Sequence, residues 1–310
     1  MDPHIKKMLD DLAAASAGQE TPVLDAIPPA MVRAGYQMQR RAQNLNAPKD
    51  VDTRDLQVDG AAGKIGARLY TPAGAPATTP GLVYFHGGGF VIGDLETHDG
   101  HCRRLASYSG FRVLAVDYRL APEHPFPASH DDALAATKWA FDHAAEIGFD
   151  PKKIAVGGDS AGGNLAASIA IDLKADPAHR LAYQMLFYPG IWPDEETESR
   201  KRLDGPVLTR AAMEWFEKSL AALGHPHAHR AMLGSADVSG TAPALVVTAG
   251  YDPLQDEGRD YAKRLNAAGV KAQHIHYADL VHDFYIMGDV SPAIDAAAHE
   301  AADALKAAMA

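Results

Sequence analysis

Short apolar runs alternating with helix-length stretches narrow the possible folds of this chain more than any other feature. The runs are Gly81–Phe85, Val113–Val116, Ile154–Val156, Met185–Tyr188 and Ala244–Thr248, and two of the intervals, Asp131–Ile147 and Ala161–Leu173, have helical patterns. A continuous apolar run of this length suits a strand covered on both faces, and parallel neighbours need a long crossover, usually a helix. The repetition predicts an α/β chain with a mostly parallel central sheet flanked by helices. Lys271–Tyr277 is the last predicted strand and the Ala-rich Pro292–Met309 the closing helix.

Two regions depart from this rhythm. Ile5, Met8, Leu9 and Leu12 fall at i, i+3, i+4 and i+7 and predict an amphipathic helix. Pro28 and Pro29 stand where a second helix can begin, proline being tolerated in a first turn. Val51–Val58 and Lys64–Tyr70 then predict a hairpin turning at Asp59-Gly60, followed by a surface loop over Thr71–Pro80. Glu195–Ala231 carries no strand signal. Thr209 is placed to cap a helix there, with Met213, Phe216, Leu220 and Leu223 on one face and an end at Gly224.

At 310 residues the chain slightly exceeds the roughly 250–300 at which a single core stops growing, so one domain with a small lid is expected. A formal net charge of −11 without a Lys/Arg block disfavours nucleic acid and anionic membrane as partners. No run approaches the roughly 18 apolar residues of a spanning helix. Met1–Leu12 mixes Lys6, Lys7, Asp10 and Asp11 among its apolar residues, which is unlike a secretory signal. A soluble, cytoplasmic protein is expected. Cys102, the single cysteine, excludes an intrachain disulfide and is expected to be a small buried hydrophobe.

Gly158-Asp159-Ser160-Ala161-Gly162 follows a predicted strand and opens a predicted helix. That is the context of a nucleophile elbow, a tight turn that presents a serine while its neighbours at −2 and +2 lack side chains that would clash. The following helix directs its N-terminal N–H groups toward a developing oxyanion. The bland alternative is a glycine-rich turn that packs a helix on the sheet. His86-Gly87-Gly88-Gly89-Phe90 follows the strand Gly81–Phe85 and has the form of an oxyanion loop. It lacks the Lys-Ser/Thr of a P-loop and the spacing of a dinucleotide fingerprint. His86 is expected to brace this loop.

A serine hydroxyl needs a base, and in strand–Ser–helix hydrolases the chain order is Ser, then Asp/Glu, then His. His282 alone among the later histidines lies in a loop just after the last predicted strand. His225, His227 and His229 fall in the strandless insertion, His274 and His276 within a strand, and His299 on the terminal helix. Asp252 follows the strand Ala244–Thr248 and the Ala249-Gly250-Tyr251 turn, which makes it the candidate acid. Asp279 is its rival, and Asp256 and Glu257 are expected to cap or brace.

These motifs together resemble the hormone-sensitive-lipase family, the bacterial family IV esterases of the α/β-hydrolase superfamily. Tyr118-Arg119-Leu120-Ala121-Pro122-Glu123, Asp252-Pro253-Leu254 with Asp256-Glu257-Gly258, and His282-Asp283-Phe284 match further segments of that family. The likeness runs from about Val51 to the C-terminus. It implies an α/β-hydrolase fold with a helical cap, hydrolysis of short to medium acyl esters, and no cofactor or metal. It also implies oxyanion N–H groups from Gly88, Gly89 and Ala161. Asp159 places the chain in the GDSAG branch, where homodimers are common. Asp283 departs from the glycine usual after the catalytic histidine. Its carboxylate is expected to raise the His282 pKa or alter the loop.

On this basis residues 1–48 are expected to form the N-terminal part of the cap, and residues 49–310 the catalytic domain with a cap insertion at about 195–231. The N-terminal helix and the insertion are expected to meet over the carboxyl edge of the sheet and close the acyl pocket. The same triad would acylate on amides as well as esters. A ligand-binding protein on an inactive scaffold is disfavoured because Ser160, Asp252, His282 and the glycine loop are all present. A metalloenzyme is disfavoured by the lack of HExxH and of a second cysteine.

Overall fold

The structure, a computed structural model, describes residues 1–18 and 23–310. Its centre is an eight-stranded sheet ordered β1-β2-β4-β3-β5-β6-β7-β8. The strands are β1 (Val51–Gly60), β2 (Gly63–Pro72), β3 (Thr79–Phe85), β4 (Arg112–Asp117), β5 (Phe149–Asp159), β6 (Tyr183–Phe187), β7 (Ala244–Tyr251) and β8 (Ala272–Val281). β2 runs antiparallel to both β1 and β4, and every other pairing is parallel.

Alternate residues of the central strands face opposite layers, as a period of two requires. Val83, Phe85, Val156, Leu186 and Val246 pack with α4 (Ala128–Asp142), α6 (Ala161–Asp172) and α9 (Gln255–Ala267). Leu82, Tyr84, Ala155, Met185 and Leu245 pack with α3 (Asp99–Ser109) and α10 (Pro292–Met309) on the other face. Cys102 lies in that second layer, where burial pushes its thiol pKa well up. No described helix is long and apolar enough to cross a membrane.

Several boundaries differ from the sequence-based expectations. The first hairpin turns at Ala61-Ala62, because Asp59 and Gly60 still pair with Lys64 and Gly63. Thr71-Pro72 and Thr79-Pro80 belong to strands, so the expected surface loop is shorter. β8 extends past Tyr277 to Val281 and delivers His282 directly. The predicted Asp131–Ile147 helix is α4 followed by a separate turn, α5 (Ala144–Ile147). α3 has no counterpart among the predicted helices. Its sequence, DGHCRRLASYS, buries Gly100, His101 and Arg104 as well as apolar residues, so an apolar period is hard to see.

The N-terminal α1 (Pro3–Ala15) is capped by Asp2, which accepts from the N–H groups of His4 and Ile5, and Ile5 is fully buried. α2 (Pro29–Ala42) is pinned by Arg33, which pairs with Glu123 and donates to the carbonyls of Val91 and Ala121. The insertion contains α7 (Glu198–Arg202) and α8 (Arg210–Leu220), the latter capped by Thr209. α8 ends at Ala221, which takes a left-handed φ of 54°, before Gly224 is reached, and Leu223 is exposed. The short turn Leu24–Ala26 packs on α8, and Asp25 pairs with Lys218 across that junction.

Candidate active site

The parallel order carries the loops after β3, β5, β7 and β8 to one edge of the sheet, the carboxyl edge where open α/β sheets bind ligands. Ser160 follows β5 at φ 53° and ψ −114°, a strained turn for a residue with a side chain. The turn is possible because a Cβ on Gly162 would collide with the Phe85 carbonyl, and one on Gly158 with the Gly162 carbonyl. Ser160 and the start of α6 thus lie tight against the end of β3.

His282 follows β8 and Asp252 follows β7. The His282 Nε2 is 3.0 Å from Ser160 Oγ, and its Nδ1 is 2.8 Å from Asp252 Oδ2. The other Asp252 oxygen accepts from the Leu254 N–H at 2.8 Å, which fixes the carboxylate. All three residues are buried. Burial opposes a charge on His282, but the carboxylates of Asp252 and Asp283 outweigh it and lift the imidazole pKa to about 9. The rival Asp279 lies out in solvent beside the N-terminal amine, away from His282. Asp256 accepts from the Ser199 N–H, and Glu257 accepts from the N–H groups of Ile191 and Trp192 and pairs with Arg200, so both brace the start of the insertion.

Gly88 and Gly89 flank Ser160 with left-handed φ values of 111° and 59°. A Cβ on Gly89 would run into the Phe216 ring, so only glycine lets the loop pass beneath α8. The N–H groups of Gly88, Gly89 and Ala161 have no protein acceptor among the described residues. His86 stacks on Tyr118 and its Nδ1 meets the Gly87 carbonyl oxygen, a bracing position; burial depresses its pKa to about 4.

One group of supporting residues was not recognised in the sequence. Asp159 is fully buried beside the serine and accepts from the Tyr84 hydroxyl at 2.7 Å and the Gly87 N–H at 3.1 Å. His98 Nε2 lies 3.2 Å from its other oxygen. Burial resists the charge, but His98 and these donors hold the carboxyl well below the ordinary range. Asp159 therefore ties the glycine loop to the serine turn. An ionisable residue directly before the serine is the signal that could have exposed this role.

Two cavities meet at Ser160. The larger, about 540 Å³, is lined by Ser160, His282, Asp283, Gly88 and side chains of α1, α2 and α8. The smaller, about 40 Å³, is lined by Ser160, Ala161, Trp192, Met213, Phe216 and Leu254. His282 borders only the larger one. Among the described residues no group of three or more His, Cys, Asp or Glu side chains is arranged to hold a metal.

Residues 82–286 match the family described as alpha/beta hydrolase fold. The chain belongs to that family. It is 39% identical over 295 residues to Esterase LipI of Mycobacterium tuberculosis, covering 92% of each chain. It is 38% identical over 321 residues to Carboxylesterase NlhH of the same organism, covering all of this chain and 96% of the relative. Among solved structures, an ester-hydrolase from the metagenome of Lake Arreo superposes with a TM-score of 0.93 at 38% identity, covering 99% of this chain and 98% of that one. A hyperthermophilic esterase from Pyrobaculum calidifontis gives a TM-score of 0.91 at 38% identity with the same coverage. The likeness to the hormone-sensitive-lipase esterases thus holds over nearly the whole chain of this α/β-hydrolase.

Proposed function

We propose that this α/β-hydrolase is a serine carboxylesterase that cleaves esters of short carboxylic acids through an acyl-enzyme. Ser160 is the nucleophile, His282 the general base and Asp252 the acid that orients it. The observation that carries this proposal is the unbroken hydrogen-bonded chain from Ser160 Oγ through both imidazole nitrogens to Asp252. Neutral His282 takes the serine proton as Oγ attacks the carbonyl carbon. The N–H groups of Gly88, Gly89 and Ala161 receive the oxyanion. The imidazolium then protonates the departing alkoxy oxygen, and a water attacks the acyl-enzyme by the same steps. Asp252 stays ionised throughout and holds the tautomer.

The two cavities suggest which part of the ester goes where. The leaving oxygen must receive its proton from His282 Nε2, so the alcohol departs on the side that His282 lines, into the larger cavity. The acyl group points away from the imidazole, toward the smaller cavity bounded by Trp192, Met213 and Phe216. Acetyl and propionyl groups suit that space, and a medium chain requires α8 side chains to give way. In this assignment α1 and α2 enclose the alcohol. The apolar pattern alone had suggested that the N-terminal helix and the insertion together close over the acyl chain.

Ser160→Ala is expected to lower kcat on 4-nitrophenyl acetate by about 10⁶, as removal of a triad serine does elsewhere, and to abolish fluorophosphonate labelling. A folded Ser160→Ala protein with wild-type turnover overturns the mechanism. Hexanoate esters turned over faster than acetates of the same alcohol would overturn the acyl assignment.

A further inference from the structure

Asp283 is the least expected residue at this site. Its backbone is left-handed, with φ 66° and ψ 9°, a conformation that glycine adopts most easily and aspartate tolerates. Its carboxylate is held from across the site. Oδ2 accepts from Arg40 Nη2 at 2.9 Å and from the Tyr36 hydroxyl at 3.3 Å, both on α2. The Arg40 side chain is only 3% exposed. An ion pair so deeply buried gives little net stability over apolar side chains of the same volume, so stability is a poor reason for its presence.

The other oxygen suggests a reason. Asp283 Oδ1 accepts no hydrogen bond among the described residues. It lies 3.4 Å from His282 Nε2, and that nitrogen already faces Ser160 Oγ. Asp283, Tyr36, Gln39 and Arg40 are polar side chains in the lining of the 540 Å³ cavity that also contains Ser160 and His282. Leu9, Leu12, Ile27 and Met31 belong to the apolar part of the same lining. Asp283 lines the cavity, so the donor that this oxygen lacks within the protein comes from water or from a bound molecule that can replace it.

We propose that Asp283 is a specificity-determining residue for the alcohol part of the substrate, accepting a hydrogen bond through Oδ1 from a hydroxyl on the carbon next to the ester-bearing carbon. The preferred substrates are then monoesters of vicinal diols. This rests on the proposed function, in which the leaving oxygen lies at His282 Nε2. Oδ1 borders the same nitrogen, so a hydroxyl gauche to the leaving oxygen falls between that oxygen and the carboxylate. A neutral hydroxyl suits the site better than an ammonium group, because Arg40 stands in the same wall and repels a cation.

The test compares 2-hydroxyethyl acetate with 2-methoxyethyl acetate, in which a methyl replaces the donor hydrogen, and with propyl acetate, which matches the hydroxy ester in size but has no donor. A hydrogen bond to a charged group makes the hydroxy ester better by roughly tenfold to a hundredfold in kcat/KM on the wild-type enzyme. In Asp283→Gly, which suits the left-handed backbone, the ratio is expected to fall to about one. Because that change strands the Arg40 charge, the double variant Arg40→Met/Asp283→Gly is measured beside it. 4-Nitrophenyl acetate, which carries no such hydroxyl, is the common control. Its turnover by the wild type, together with a wild-type ratio near one or a ratio that survives in either folded variant, overturns the role of Asp283 alone. Failure of the wild type to turn over 4-nitrophenyl acetate overturns the esterase proposal beneath it.

Discussion

His282 has a buried carboxylate at each ring nitrogen, and the two are held from opposite sides of the site. Asp252 belongs wholly to the sheet edge: it leaves β7, takes a backbone N–H from Leu254 and meets Nδ1. Asp283 leaves β8 beside the imidazole, but its partners Arg40 and Tyr36 come from a helix 243 and 247 residues earlier in the chain. The first arrangement is set by adjacent strand ends and the second by side chains across a cavity. Main-chain geometry therefore fixes the groups proposed for bond-breaking, while the surroundings of the proposed leaving-group side depend on how the N-terminal helices dock. A change in α2 can shift the His282 environment without touching Ser160, Asp252 or His282 itself.

The sharpest way to break this comparison is to remove each charge in turn. Asp252→Asn is expected to lower kcat by up to about 10⁴, because the imidazole loses the partner that fixes its tautomer. Asp283→Asn should cost far less, since Nδ1 keeps Asp252. Asp256→Asn and Asp279→Asn should also cost little, the one bracing Ser199 and the other lying in solvent. Steady-state kinetics on one acetate ester ranks all four. If Asp283→Asn proves the crippling change, the roles of the two carboxylates are reversed.

The same contrast explains what the sequence made legible. Ser160, Asp252 and His282 each follow a strand at the carboxyl edge, so strand pattern, chain order and the motif around the serine were enough to nominate them as candidates, and the structure brings the three side chains together. Asp159 and the Arg40–Asp283 pair were less visible. Asp159 acts through Gly87 and His98, 72 and 61 positions away, and no periodicity links such partners. Arg40 lies in the last turn of α2, where a basic residue ordinarily meets solvent and the helix dipole, yet here it is buried. The end of α8 was misplaced for a local reason. Ala221 takes the left-handed cap that glycine usually supplies, and Gly224 drew the boundary too far.

Stability gives the next test. Arg40→Met should destabilise the fold by about 3–5 kcal/mol, the typical penalty for leaving a buried charge unpaired. Part of the loss comes from packing, because the guanidinium lies 4.7 Å from the centre of the Tyr36 ring. Arg40→Met/Asp283→Gly should recover most of the loss, since neither charge is then stranded. Urea unfolding of the two variants and the wild type measures this directly. Equal destabilisation by the single and double changes would mean that Arg40 supports α2 by packing alone.

The smallest expected effect is a shift in pH dependence. Only neutral His282 can accept the Ser160 proton, so kcat/KM should rise with pH as the imidazolium deprotonates. The folded pKa stands at about 9, so the rise belongs on the alkaline side of neutrality. Burial pulls that value down, while the carboxylates of Asp252, Asp283 and Asp159 push it up, with Arg40, Tyr36 and Tyr188 completing the polar surroundings. Removing an anion disfavours the imidazolium, so Asp283→Gly should move the acidic limb to lower pH by about one unit. Arg40→Met should move it the other way, because the charge of Asp283 is then no longer offset by its cation. Opposite shifts in the two variants would mean that α2 tunes the base through Asp283. A limb that stays in place in both would leave Asp252 and burial as the groups that set it, and would confine the N-terminal helices to lining the cavity.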